Sequence, residues 1–159
     1  MKNGAAITYK SGWQVADYGI ETADIKEAMR AIKAMGGNEA AVRANSKCLS
    51  SDVTAVFDPN FSDVFEHRNS SLLNCGITMC KFTGSRGKGG TSDASAEMVA
   101  WTRRVLNQAG VVWQSSELGK VDAGGGGTVA KFISKHNIET IDLGVPLIAM
   151  HAPYEMVAK

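Results

Sequence analysis

Apolar positions along this 159-residue chain follow two alternating rhythms, one of helical period and one of short continuous runs. From Asp24 to Met35, the residues Ile25, Met29, Ile32 and Met35 recur at helical spacing, and Gly36-Gly37 follows. That predicts an amphipathic helix with a stop. A second, shorter helix is predicted over Asn38 to Ser46. "CLSSDVTAVF" (Cys48 to Phe57) reads as a strand running into a loop closed by Asp58-Pro59-Asn60. "GITMCKF" (Gly76 to Phe82) reads as one buried strand. Thr91 or Ser92 is placed to cap the next helix, with Asp93 in its first turn, where the helix dipole favours an acid. Ala94, Met98, Trp101 and Val105 would line one face of it, and Ala109-Gly110 would end it. "VVWQ" (Val111 to Gln114) is a short strand. Val129, Phe132, Ile133 and His136 stripe a further helix, and "IETIDLGVPLIAM" supplies one or two strands. Strands alternating with helical stripes predict an α/β fold, with a parallel or mixed sheet and helices on both faces. The first twenty residues are the least regular; "AAITY" and "WQVADY" allow a hairpin around Lys10-Ser11-Gly12.

Composition narrows the function classes. The length suits a single domain that buries roughly two-thirds of its unfolded surface. With 17 basic against 16 acidic residues, the chain carries no footprint for nucleic acid or a membrane surface. No apolar run approaches the ~20 residues that span a bilayer, and no secretory leader opens the sequence. Cys48, Cys75 and Cys80 are odd in number and form no Cys-x-x-Cys pair, which argues against a disulfide framework or a zinc knuckle. A reduced, cytoplasmic compartment follows.

Three stretches carry candidate chemistry. "GVPLIAMHAPYEM" ends an apolar run on His151, one of three histidines, where a buried strand should stop. Ligands on open α/β sheets sit outside the carboxyl ends of strands, so His151 is either a ligand there or a packed rim residue. "GSRGKGGT" (Gly84 to Thr91) resembles a phosphate loop but lacks the first glycine of that motif, since Phe82 stands in its place. "KVDAGGGGTVAKF" sets Gly124, Gly125, Gly126 and Gly127 directly before a helix. Free backbone N–H groups there can seat an oxyanion or carboxylate, and a tight strand-to-helix turn explains the same glycines equally well.

Taken together, "SSDVTAVFDPNF", "KFTGSRGKGGTSDASAE", "ELGKVDAGGGGTVAKF" and "IDLGVPLIAMHAPYE" resemble the aspartyl aminopeptidase / aminopeptidase I family of zinc metallopeptidases, bacterial branch. The resemblance covers residues 45–159 of a single, partial catalytic-type domain (1–159), and residues 1–44 are unmatched by it. It implies a three-layer α/β zinc-exopeptidase fold of the phosphorylase/hydrolase type. It also implies an enzyme that removes N-terminal residues from peptides with water activated by two zinc ions. By resemblance, Asp52 in "SSD" takes the place of a carboxylate ligand to one metal, and His151 in "MHAPYE" the place of the imidazole on the other. Lys81 resembles a lysine beside the substrate pocket, against the alternative of a solvated strand-end lysine. Gly125, Gly126 and Gly127 belong with it on the substrate side. Glu155 is either a partner for the His151 imidazole or an acid at a helix start. Asp58 stands where other branches carry a histidine.

The family's upstream His-x-Asp pair and adjacent Glu-Glu pair do not occur in this sequence. On this reading no general base lies in the chain, the two-zinc site is incomplete, and the isolated chain is an inactive fragment of a cytoplasmic enzyme. Peptide is the expected substrate and a homo-oligomer the expected assembly, with no nucleic acid or membrane partner. The alternative is a non-catalytic scaffold or an anion-binding α/β domain.

Overall fold

The computed structural model describes residues 24–85, 89–120 and 122–158; the proposed N-terminal hairpin lies outside them. Helix α1 (Asp24–Ala34) and helix α2 (Glu39–Ala44) come first. The Asn38 side chain accepts from the Ala41 N–H and caps α2. Strand β1 (Lys47–Ala55) follows, then a 3-10 segment (Pro59–Val64) whose start is capped by the Asp58 carboxylate, which accepts from the Asn60 N–H at 2.9 Å. Strands β2 (Ile77–Cys80), β3 (Phe82–Ser85) and β4 (Gly89–Asp93) precede helix α3 (Ala96–Gln108). Strand β5 (Trp113–Ser115), the short helix α4 (Ala130–Ser134), strand β6 (Glu139–Ile148) and strand β7 (Met156–Val157) complete the chain.

The main sheet runs β1-β6-β2-β5, with β7 also pairing β6. It is mixed. β1 is parallel to β6 and β2 parallel to β5, while β2 and β7 are antiparallel to β6. β6 is the hub, as its long apolar run suggested. Register sorts the side chains. Leu49, Ile141, Leu143 and Met79 share one face, where Met98 of α3 packs on Met79 and Ile141 with Trp113 and Leu143 around them. Ser50, Asp52, Thr78, Cys80, Asp142 and Gly144 share the other. There Ile133 of α4 and Ile138 cover the end near Cys48. The expectation of a mixed sheet with helices on both faces therefore holds.

Several local expectations are corrected. Thr91 to Asp93, read as a helix start, belong to strand β4, paired antiparallel with β3 through Phe82↔Asp93 and Thr83↔Ser92. Adjacent glycines are poor helix formers, and the cap falls three residues on. The Ser95 hydroxyl accepts from the Met98 N–H at 3.1 Å. Of the predicted face, Ala94 and Met98 are buried and Trp101 packs against the same cluster; Thr102 and Leu106 are buried as well, and Val105 is exposed. The end of α3 is as read. Gly110 takes φ +67°, and the Gly110 and Val111 amides bond the Asn107 and Leu106 carbonyls in a Schellman closure. "GITMCKF" divides at Lys81, whose ammonium pairs with Asp93 outside the sheet. No helix starts at Glu155; residues 156–157 return to pair with β6.

Candidate active site

Because β1 and β6 are parallel, their carboxyl ends lie at the same edge of the sheet. Asp52 projects from β1 in register with Gly144, before the end of either strand, and His151 follows β6 in the turn beyond Ile148. Asp52 is exposed, and its Oδ1 accepts the Val53 N–H at 2.8 Å. His151 is exposed too. Its backbone is left-handed at φ +67°, as is that of Ala149 at +60°, a conformation that costs a non-glycine residue energy. The Glu155 carboxylate accepts the His151 main-chain N–H and holds that turn. This corrects the helix-start role read for Glu155, which lies before a strand, and adds a bond to the backbone of His151.

One residue of this face escaped the sequence reading. Asp142, at the centre of β6, is buried with 8% of its surface exposed. Its Oδ2 accepts the Thr128 hydroxyl at 2.8 Å. Desolvation pushes its carboxyl above the ordinary value, the Ser50 and Thr128 hydroxyls pull it back, and the Asp52 charge pushes it up again. A carboxylate in the middle of "IETIDLGVPLI" was the available signal, since acids are rare at buried strand positions. Burial likewise raises the Cys80 and Cys48 thiols, so neither is set up as a nucleophile. Cys80 Sγ instead lies 3.8 Å from both Thr54 Oγ1 and Ser116 Oγ.

The glycine-rich loop packs on β3. A Cβ on Gly125, whose φ is +98°, would lie 2.1 Å from the Gly84 carbonyl oxygen, and one on Gly124 2.8 Å from the Lys120 nitrogen. Those two positions therefore have a packing reason of their own. Gly126 and Gly127 meet only side chains of Leu118 and Lys131. A small cavity of about 20 Å³ separates the loop from Thr83 and Glu117. A wider groove of about 760 Å³ runs past Arg68, Lys81, Arg103, Trp113 and Glu117. Neither is lined by Asp52 or His151. Lys81 sits in the wider groove with its charge answered by Asp93. Asp58 is occupied as a cap, and His67 lies edge-on to Phe57 at 4.8 Å between ring centroids.

Carboxylate oxygen and imidazole nitrogen are donors that zinc accepts, but a protein zinc site takes at least three ligands. Among the described residues, no group of three or more His, Cys, Asp or Glu side chains is placed to hold a metal ion. Asp52 and His151 alone do not make a complete zinc centre.

The fold defines a mixed-sheet α/β domain in which His151 follows the carboxyl end of β6 and Asp52 lies within the parallel strand β1. The sequence model of the family described as Aminopeptidase I zinc metalloprotease (M18) matches residues 14–159, so the chain belongs to that family. The match begins upstream of Asn45, the start of the resemblance read from the motifs. A probable M18 family aminopeptidase 1 of Clostridium acetobutylicum is 53% identical over 115 residues, covering 72% of this chain and 25% of that protein. Its counterpart in Thermotoga maritima is 47% identical over 118 residues, covering 74% and 26%. The chain thus spans about a quarter of the length of these curated relatives. Among solved structures, the M18 aminopeptidase of Thermotoga maritima superposes with a TM-score of 0.76 at 41% identity, covering 84% of this chain and 31% of that one. Aminopeptidase I of Clostridium acetobutylicum superposes with a TM-score of 0.76 at 46% identity, covering 84% and 29%.

Proposed function

We propose that this chain supplies one side of the site of a zinc aminopeptidase that removes N-terminal residues from peptides. Asp52 and His151 are its contributions to metal binding, one toward each of two zinc ions. The remaining ligands and the general base come from outside the described residues. The observation that carries the reading is the turn just past the carboxyl end of β6, where Glu155 holds His151 in a left-handed conformation, on the strand that runs parallel to the one bearing Asp52. Gly125, Gly126, Gly127 and Lys81 border the substrate on this reading. Membership of the family supports peptide as the substrate and zinc as the cofactor. Among the described residues no helix is long and apolar enough to cross a membrane; a cytoplasmic location is part of the reading and rests on the unpaired cysteine pattern. Self-association is supported by Leu49, Val53 and Val145, which lie exposed on one face at the β1 edge of the sheet.

Zinc titration followed by calorimetry tests the assignment. The expected result is weak binding by the purified chain, reduced about tenfold or more in Asp52→Asn and in His151→Ala while far-ultraviolet dichroism is unchanged. Affinity untouched by both substitutions would overturn the ligand assignment. Two tightly held zinc ions per chain would overturn the claim that other ligands come from outside. The chain alone should hydrolyse leucyl and aspartyl peptides no faster than blank, because on this reading the general base is supplied from elsewhere.

A further inference from the structure

We propose that Asp142 is a positioning residue: through Thr128 it seats the glycine-rich loop, residues 124–127, against β3. The loop is four consecutive glycines, the residue type that loses most conformational freedom on ordering. Something must hold it, and the hydrogen bonds show what does. At its upstream end, the Ala123 and Gly124 amides close on the Lys120 carbonyl at 3.2 and 2.7 Å. In the middle, Gly125 lies backbone-to-backbone on Gly84. At the downstream end the first residue with a side chain is Thr128. Its hydroxyl donates to Asp142 Oδ2 at 2.8 Å and lies 3.3 Å from the Thr83 hydroxyl of β3. One carboxylate on β6 thereby ties the end of the loop to the sheet and to β3.

Stability alone is a poor reason for an acid at this position. Asp142 is 8% exposed and makes no ion pair with lysine or arginine among the described residues. A buried carboxylate without a counter-charge is costly, and Asp52 on the neighbouring strand adds repulsion. What the acid provides is an acceptor stronger than a neutral group, aimed at a hydroxyl. The arrangement trades stability for a fixed loop. Its consequence for catalysis rests on the reading above, in which this loop borders the substrate. The seating itself does not.

Hydrogen exchange of the 159-residue chain, read by mass spectrometry on the segment 120–128, tests the proposal. Thr128→Val keeps the shape and removes the hydroxyl, and Asp142→Ala removes the acceptor. Both should speed exchange of that segment about tenfold while α3 and β2 keep their protection. Thr128→Ser restores the hydroxyl and should match wild type, whereas Asp142→Asn keeps only a weaker, neutral acceptor and should fall between wild type and Asp142→Ala. Unchanged loop exchange in Thr128→Val would overturn the proposal. So would loosening spread through α3, or a failure of Thr128→Ser to restore protection. Should Asp142→Ala fail to fold, Asp142→Asn decides the acceptor's part: faster loop exchange than wild type is expected, and unchanged exchange would overturn the proposal. Exchange is read without zinc or substrate, so failure here and failure of the aminopeptidase reading are separate results.

Discussion

The two faces of the sheet are built on opposite principles. On one, Met79, Ile141 and Met98 are almost fully buried against α3, with Trp113 and Leu143 packed around them. On the other, the buried positions include Ser50, Thr54, Thr78, Cys80 and Asp142, and the loop covering part of it is glycine. The first face gains free energy by removing apolar area from water, at about 25 cal/mol per Å². The second gains by pairing its polar groups, because an unpaired one costs about 1–3 kcal/mol; the buried Thr78 hydroxyl has no hydrogen-bond partner among the described residues. The difference teaches where stability and chemistry are lodged. One face can change chemistry without losing the fold, and the other cannot lose volume without losing stability.

Four substitutions would break or sharpen that contrast. The largest effect belongs to the apolar face. Met98→Ala empties a side chain with 0% exposure and should cost about 2–5 kcal/mol in chemical denaturation. A loss under about 1 kcal/mol would mean that the α3 face is not the core. Next comes Gly125→Ala on the polar face. Backbone strain at φ +98° should cost about 1–3 kcal/mol, and contact with the Gly84 carbonyl adds to it. A neutral result in thermal unfolding would show that the loop does not lie against β3.

A smaller stability effect is expected for Asp52→Asn. The side chain is exposed, so the change should stay within about 0.5 kcal/mol while zinc binding falls. A large loss of stability would move Asp52 from chemistry to structure. The smallest effect is the pH slope from Asp142. Its folded carboxyl sits above its ordinary value of 3.8, so the folded state holds a proton that the unfolded state has released. That stabilisation is complete below about pH 4 and is lost as pH rises through the folded value. Asp142→Asn should therefore gain on wild type as pH rises from about 4, in thermal unfolding at constant ionic strength. Parallel curves would place Asp142 in water.

Much of this was legible in the residues themselves, and the failures are local. The helix spacing at Ile25, Met29 and Ile32, the Gly110 stop and the long run into β6 mark real elements because each is decided by neighbours in sequence. The start of α3 was misplaced because Thr91, Ser92 and Ser95 are all competent caps. Pairing of β4 with β3 decides among them, and that pairing brings together residues from two separate segments. Asp142 was missed for a related reason. Its role depends on Thr128 and Ser50, which the chain carries far from it.

The sequence by itself determined the family, the helix stripes, the strand candidates and the two residues, Asp52 and His151, that carry the resemblance to a metal site. Composition and motif order suffice there, because they are properties of the chain read in one dimension. Only the tertiary structure decided that β1 and β6 run parallel and bring their carboxyl ends together, and that Lys81 is answered by Asp93. The same holds for Asp142 as the anchor of the glycine loop and for the packing at Gly124 and Gly125. Register, burial and close backbone approach arise between segments that are distant in sequence. No periodicity within one segment encodes them.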